Sequence, residues 1–256
     1  MRSLAIALVV GMMGCGGGDD DEGALPRSNC FETDDAGIVS FEAEQLPFGD
    51  NWELATAEAG FSGTGYIQWT GNSQNNNPGE GLMSLTLAVD TPGLYQLQWR
   101  TGVGRGDNGT EHNDTWLRFP DAAAYFGRRV RQGQETRRYP RPLCEDEVAM
   151  SAIVSAEGIE EATCPDGSTR EGWLKVYRSG NVRESDGALR WTWHAFTSDN
   201  DAHDVHVLFE SAGEYTMEVS ARGDFHLLDR VVLHPFDLEE TDDALSLSRA
   251  NTACGG

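Results

Sequence analysis

Short apolar stretches that alternate with a period of two, repeatedly cut by Gly, Asn or Asp, constrain this chain more than any other feature. Side chains along a strand point to opposite faces in turn, so such a stretch buries one face and leaves the other polar. Stretches 38–45, 65–70, 82–89, 94–101 and 115–119 read this way, and so do 173–177, 189–194, 204–209, 215–221 and 225–234. Runs with a 3.6-residue period are few, and 30 glycines and 9 prolines disfavour long helices. The expected fold is all-β, a β-sandwich of the jelly-roll type.

Two segments echo each other. Leu85 to Arg100 (LTLAVDTPGLYQLQWR) and Val205 to Arg222 (VHVLFESAGEYTMEVSAR) each give strand, Gly turn, Tyr two residues on, strand, then Arg. They are expected to form two hairpins of one sandwich. Between 120 and 172 the alternation lapses, in a stretch long for a structureless loop inside a compact domain. It reads as an irregular insertion on an edge or mouth of the sandwich, carrying Cys144 and Cys164. The expected organisation is a leader over 1–14, a tether over 15–29, the sandwich over 30–236 and a tail over 237–256.

Arg2, an apolar run from Leu4 to Val10 and then Gly14-Cys15 resemble a bacterial lipoprotein signal, too short to span a bilayer. Cys15 is the expected lipidation site, and the acidic glycine-rich stretch after it the tether of an exported protein anchored at the cell envelope. Setting Cys15 aside leaves four of the five cysteines, which in an oxidising compartment suggests two disulfides. Three pairings are open. Cys144–Cys164, closing a loop, and Cys30–Cys254, joining the ends, are favoured.

A formal charge of −23 sets nucleic acid aside as a partner. Six arginines crowd into 128–141 (RRVRQGQETRRYPR), where they could grip an acidic polymer or balance nearby acids.

The densest chemistry lies in Phe41-Glu42-Ala43-Glu44. In a strand, Glu42 and Glu44 share one face, and in the last strand Asp229 shares a face with Leu227, Val231 and Leu233. Should the first and last strands be neighbours, three carboxylates converge into a hard-oxygen site suited to calcium. The other reading has both glutamates in solvent and Asp229 paired with an arginine.

VSFEAEQL, GFSGTGYIQWTG, TPGLYQLQWRT and HLLDRVVL follow one another in an order that resembles carbohydrate-binding modules of the family 6 and family 35 type. The resemblance spans most of 38–119 and 173–234. It implies a calcium-containing β-sandwich, a structural ion held by Glu42, Glu44 and Asp229 with carbonyls from Ser62 or Gly65, and a polysaccharide or glycan as partner. It also implies a sugar site in loops at one end, where rings stack on an aromatic side chain and hydroxyls meet fixed polar groups. Candidates are Trp69, Asn72, Asn108, Glu111, His112, Asn113, Trp191 and His226. Leu227 stands where the family carries an Asn before its late Asp, a departure at the usual sugar contacts. For each Trp, packing in the core is the competing role.

Catalysis finds less support. Gly60 to Thr64 (GFSGT) lacks the strand-to-helix context of a nucleophile elbow. A glycosidase needs two carboxylates flanking a sugar, whereas Glu42 and Glu44 project from a single strand. No catalytic residue is assigned, and the expected function is non-catalytic glycan capture, with a structural or protein-binding lipoprotein as a further alternative.

Overall fold

The structure, a computed structural model, describes residues 27–167, 169–239 and 241–255. The leader, Cys15 and most of the tether lie outside the described residues.

Among the described residues, hydrogen bonding runs unbroken through seventeen strands, which curl into two facing layers. In the first layer Cys30–Glu32 lies parallel to Met83–Val89, followed by Gly213–Ser220, Asp114–Arg118 and Trp173–Tyr177. In the second, Val39–Glu42 and Tyr66–Trp69 both pair with His226–Pro235, followed by Gly93–Val103, His203–Phe209, Ala124–Arg131 and Gln134–Arg138. The short strand Phe196–Thr197 joins the layers at one corner, pairing with Tyr177 on one side and His203–Phe209 on the other. Leu87, Leu117, Leu174 and Met217 of the first layer meet Phe41, Leu97, Trp99, Val207 and Val231 of the second in one core. Each such side chain, fully buried, contributes about 1.5–3 kcal/mol. The predicted β-sandwich is thus present.

The echoing segments are not hairpins. Met83–Val89 and Gly93–Val103 do not pair with each other; they cross between layers, as do His203–Phe209 and Gly213–Ser220. The two arches pair mutually instead, Val89 opposite Gly213 and Gly93 opposite Phe209. Alternation reports which face is apolar but not which strand lies alongside, so an arch and a hairpin look alike in sequence. The tyrosine common to both arches closes each turn in the same way. Tyr95 donates its hydroxyl to the Thr91 carbonyl at 2.8 Å, and Tyr215 donates to the Ser211 carbonyl at 2.8 Å.

The 120–172 segment contains more regular structure than its sequence pattern suggests. Ala124–Arg131 and Gln134–Arg138 form a hairpin that extends the second layer, and Glu161–Thr163 runs parallel to its outer strand. Helix Glu147–Glu157 lies between the hairpin and Glu161–Thr163 in the chain, capped by the Asp146 carboxylate at its start and by Gly158 in the left-handed region at its end. Charged residues hid the hairpin. Arg128 and Arg137 grip Glu135, Arg129 and Arg138 grip Asp201, and Arg138 also reaches Glu161. The arginine cluster therefore serves to balance nearby acids. Both favoured disulfides, Cys30–Cys254 and Cys144–Cys164, are formed. The first holds the tail against the opening strand, where Phe31 bridges Ala253.

Of the stretches read as strands, 189–194 shrinks to Thr192–Trp193, and 38–45 ends as a strand at Glu42 and turns through a 3-10 helix, Ala43–Gln45.

Candidate functional site

Two polar constellations stand out, one inside the molecule and one open to solvent. The inner one gathers Glu42, Glu44 and Asp229, all buried, at 3%, 4% and 0% exposure. The glutamates reach it differently from the expected side-by-side placement, because the helical turn after Glu42 carries Glu44 round to the same centre. Asp229 arrives by a β-bulge: Leu228 pairs with Thr101 and Arg230 with Arg100, leaving Asp229 as the extra residue. A bulge re-aims the side chain it carries and resets alternation beyond it. Leu227 consequently packs with Tyr66 and Leu189 outside the main core, while Val231 and Leu233 lie within it, so these three do not share the face expected of them.

The 60–64 loop roofs the cluster. Ser62 donates its hydroxyl to Glu42 Oε2 at 2.6 Å and its backbone N–H to Asp229 Oδ1 at 2.8 Å, and Thr64 N–H donates to Glu44 Oε1 at 2.7 Å. Gly63 has φ +63°, and a Cβ there would collide with Glu44 Oε1, so both backbone and space demand glycine. Gly65 lies tight under the adjacent strand, where a Cβ would come within 2.7 Å of Leu54 and 2.8 Å of the Ala55 carbonyl. Two arginines complete the arrangement: Arg230 pairs with Glu42 and Arg100 with Asp229. The structure thus combines the two sequence readings, with carboxylates gathered inside and Asp229 held by an arginine. Among the described residues Glu44 has no cationic partner, and its Oε2 is buried without a hydrogen bond. Burial raises the Glu44 carboxyl to about 7, and burial likewise raises those of Glu42 and Asp229.

The donor chemistry of this cluster, three carboxylates with one orphaned oxygen, fits a hard divalent cation. Arg100 and Arg230 compete for two of those carboxylates. Among the described residues no group of three acidic, histidine or cysteine side chains stands in a ready metal-holding arrangement.

The outer constellation is a cleft of about 460 Å³ on the first layer. Asp114 and Trp116 line it although both are buried, at 5% and 1% exposure, while Leu117 of the same strand joins the core. The cleft lies between the 73–76 loop, the 110–112 loop and the 222–224 turn. Asp224 organises one side: Ser73 Oγ donates to it at 2.6 Å, Arg105 Nη1 at 2.7 Å, and His112 Nδ1 lies 2.9 Å away. Burial pushes its pKa up, but the Ser73 hydrogen bond and the His112 and Arg105 partners outweigh burial and hold it below the usual carboxylate value. On the other side Arg222 pairs with Asp114, and Lys175 Nζ reaches Asp199 at 2.5 Å. Trp116 donates its Nε1 hydrogen to the Gln74 carbonyl at 2.8 Å, while the Arg222 guanidinium lies over its ring at 5.0 Å. Donors and acceptors are fixed before any ligand arrives.

The structure brings Glu111 and His112 into this cleft, with Ser73, Asn75 and Asn76 of the polar loop next to Asn72. The other expected sugar contacts lie elsewhere. Trp69 is in the core and donates to the Asn72 carbonyl, Asn108 caps its own turn through Thr110, and buried Asn113 donates to the Gly109 and Arg178 carbonyls. Trp191 packs on Tyr66 and under Arg100, beside the carboxylate cluster. His226 is fully buried, 2.8 Å from Thr115 Oγ1. In each case packing or backbone satisfaction claimed the side chain that a loop reading had assigned to ligand. Asp114, at the end of the 108–114 loop that the sequence marked as polar, also lines the cleft, whereas Arg170, Lys175, Arg222 and Asp224 were missed from sequence. The echo had already placed Arg222 opposite Arg100; the others carried no local signal.

No family model matches the chain, and no curated protein matches it. Solved structures do. The chain is 15% identical over 80% of its length to a Podospora anserina β-(1,4)-mannanase with a family 35 carbohydrate-binding module, spanning 29% of that chain at a TM-score of 0.41. It is 16% identical to a family 35 carbohydrate-binding module from Clostridium thermocellum, over 78% of this chain and 99% of that one, at a TM-score of 0.37. A family 35 module from Cellvibrio japonicus is 12% identical over 77% of this chain and 91% of its own, at a TM-score of 0.36.

Proposed function

We propose that this protein captures a polysaccharide or glycan non-catalytically, in the polar cleft of the first layer, as a calcium-stabilised lipoprotein anchored at the cell envelope through Cys15. The observation that carries the reading is the cleft itself: Ser73, Asn75, Asn76, His112, Lys175 and Asp224 present a dense set of oriented hydrogen-bonding groups in a hollow of about 460 Å³. Such a volume lies within the range of about 300–1,000 Å³ common to ligand sites. Sugars need directed donors and acceptors more than charge, and this cleft supplies them at fixed positions.

The glutamates cannot act as a glycosidase pair in this fold, since both are buried beneath Ser62 and Thr64, away from any substrate. Their role is structural. Calcium would be held by Glu44 together with Glu42 and Asp229, with oxygens of Ser62 and Gly65, and would supply the positive charge that Glu44 lacks.

Affinity electrophoresis of the protein through gels containing a panel of polysaccharides tests the reading, run beside a reducing-sugar assay. Retardation by at least one polysaccharide without sugar release is the expected result. Turnover would make the protein an enzyme, and silence across the panel would leave a structural or protein-binding lipoprotein.

A further inference from the structure

We infer that the cleft is the first of three successive hollows, forming a groove for several units of one extended, uncharged polysaccharide chain rather than a pocket for a single sugar. This rests on the glycan-capture reading above. Next to the cleft lies a second hollow of about 520 Å³, sharing Asn76 and Arg170 with it, and then a third of about 680 Å³, sharing Arg170 and Glu171 with the second. Each alone has the size of a small-ligand site of roughly 300–1,000 Å³, so the series suits something longer. Arg170 lines all three; it is exposed, and its guanidinium donates to Asn76 Oδ1 at 2.5 Å.

The walls explain why the groove exists. Trp173 and Arg118 form part of the second hollow, the guanidinium lying 4.4 Å from the ring centroid while pairing with Glu218. Exposed Leu82 adds an apolar contact there. The third hollow takes a wall from the 120–172 segment, where Arg141 and Glu145 pair at 2.9 Å beside Pro142. The disulfide Cys144–Cys164 fixes that wall.

Charge selects the class of chain. Arg222, Lys175, Arg118 and Arg141 along the groove are each paired with a carboxylate. Arg170 is engaged by the Asn76 amide oxygen, which leaves it, among the described residues, the one groove arginine without a carboxylate partner. Glu111 and Glu171 add negative charge, and the whole chain carries −23. Such a surface repels a polyanion and attracts a polyhydroxylated neutral polymer through hydrogen bonds alone.

Calorimetric titration of the full mature chain tests this, using oligosaccharides of two to six units derived from β-1,4-glucan, β-1,4-mannan, β-1,4-xylan and dextran. Affinity is expected to climb about tenfold or more from disaccharide to hexasaccharide. It should stay level when ionic strength rises from about 0.05 to 0.5 M, because no ion pairs form with the ligand. Leu82→Ala should weaken the hexasaccharide several-fold and leave the disaccharide unchanged. Equal affinity for all lengths overturns the groove while leaving sugar capture intact. Tighter, salt-sensitive binding of polygalacturonate overturns the neutral chain. Failure of every oligosaccharide, together with silence of the polysaccharide panel, overturns both readings.

Discussion

The two arches each end in an arginine, and the two arginines build the same largely buried trio beside different neighbours. Arg100 pairs with Asp229 and lies over Trp191; Arg222 pairs with Asp114 and lies over Trp116. The first trio is roofed by the Ser62 loop and merges with Glu42, Glu44 and Arg230. The second lines an open cleft and neighbours Asp224. Burial dominates the inner site and raises its carboxyl pKa values; hydrogen bonds and cations dominate at Asp224 and lower its own. The same motif thus occurs twice, once beside the roofed carboxylate cluster and once along an open cleft. What differs is the roof.

The hardest test of that contrast is Arg230→Met. Glu42 would stay buried without its partner, a loss of about 3–5 kcal/mol in denaturant unfolding; a loss below about 1 kcal/mol would show that the inner pair is as weak as a surface pair. The next test uses pH with a chelator present. Glu44 binds its proton more tightly folded than unfolded, so its contribution is full below about 4.5 and is lost as pH climbs through about 7. The expected fall is about 3 kcal/mol over that interval, and Glu44→Gln should flatten it. A wild-type profile without that fall would mean that Glu44 is solvated or already matched by a cation.

Calcium sharpens the same comparison at somewhat smaller scale. At a hundred times its dissociation constant the ion should stabilise the wild type by about 2.7 kcal/mol, read as a rise in Tm that chelator reverses and Glu44→Gln largely abolishes. Indifference of Tm to chelator would leave Arg100 and Arg230 as sole counter-charges. The smallest stability effect belongs to the cleft. Asp224→Asn should cost about 1 kcal/mol or less in folding, while weakening retardation by the bound polysaccharide about tenfold, because Ser73, Arg105 and His112 lose their common anchor. A large stability loss there would make the cleft a second structural clamp.

Much of the architecture was legible. Alternating stretches located the strands of the sandwich, and the arginine shared by the echoing segments marked both trios. Pairing was less accessible: a Gly turn between two alternating runs suits an arch as well as a hairpin, and only His203–Phe209 lying beside Gly93–Val103 decides for the arch. The inner site was readable in composition, Glu42, Glu44 and Asp229, but its geometry depends on a helical turn and a bulge that a strict period of two cannot register. The outer site was half readable, through Glu111, His112 and the polar loop after Asn72. Lys175 and Asp224 come from separate segments and meet Asp114 only when the strands are set side by side.

The sequence alone determined what each stretch had to bury: apolar faces at every second position, an even set of cysteines, acids with too few cations close by in the chain. Those are local properties, set by the period of a strand and the cost of leaving apolar surface in water. Tertiary structure decided which charges meet. An ion pair or a cleft depends on distances between residues far apart in the chain, and a single extra residue at 229 or one roofing loop at 62 turns a surface carboxylate into an interior one.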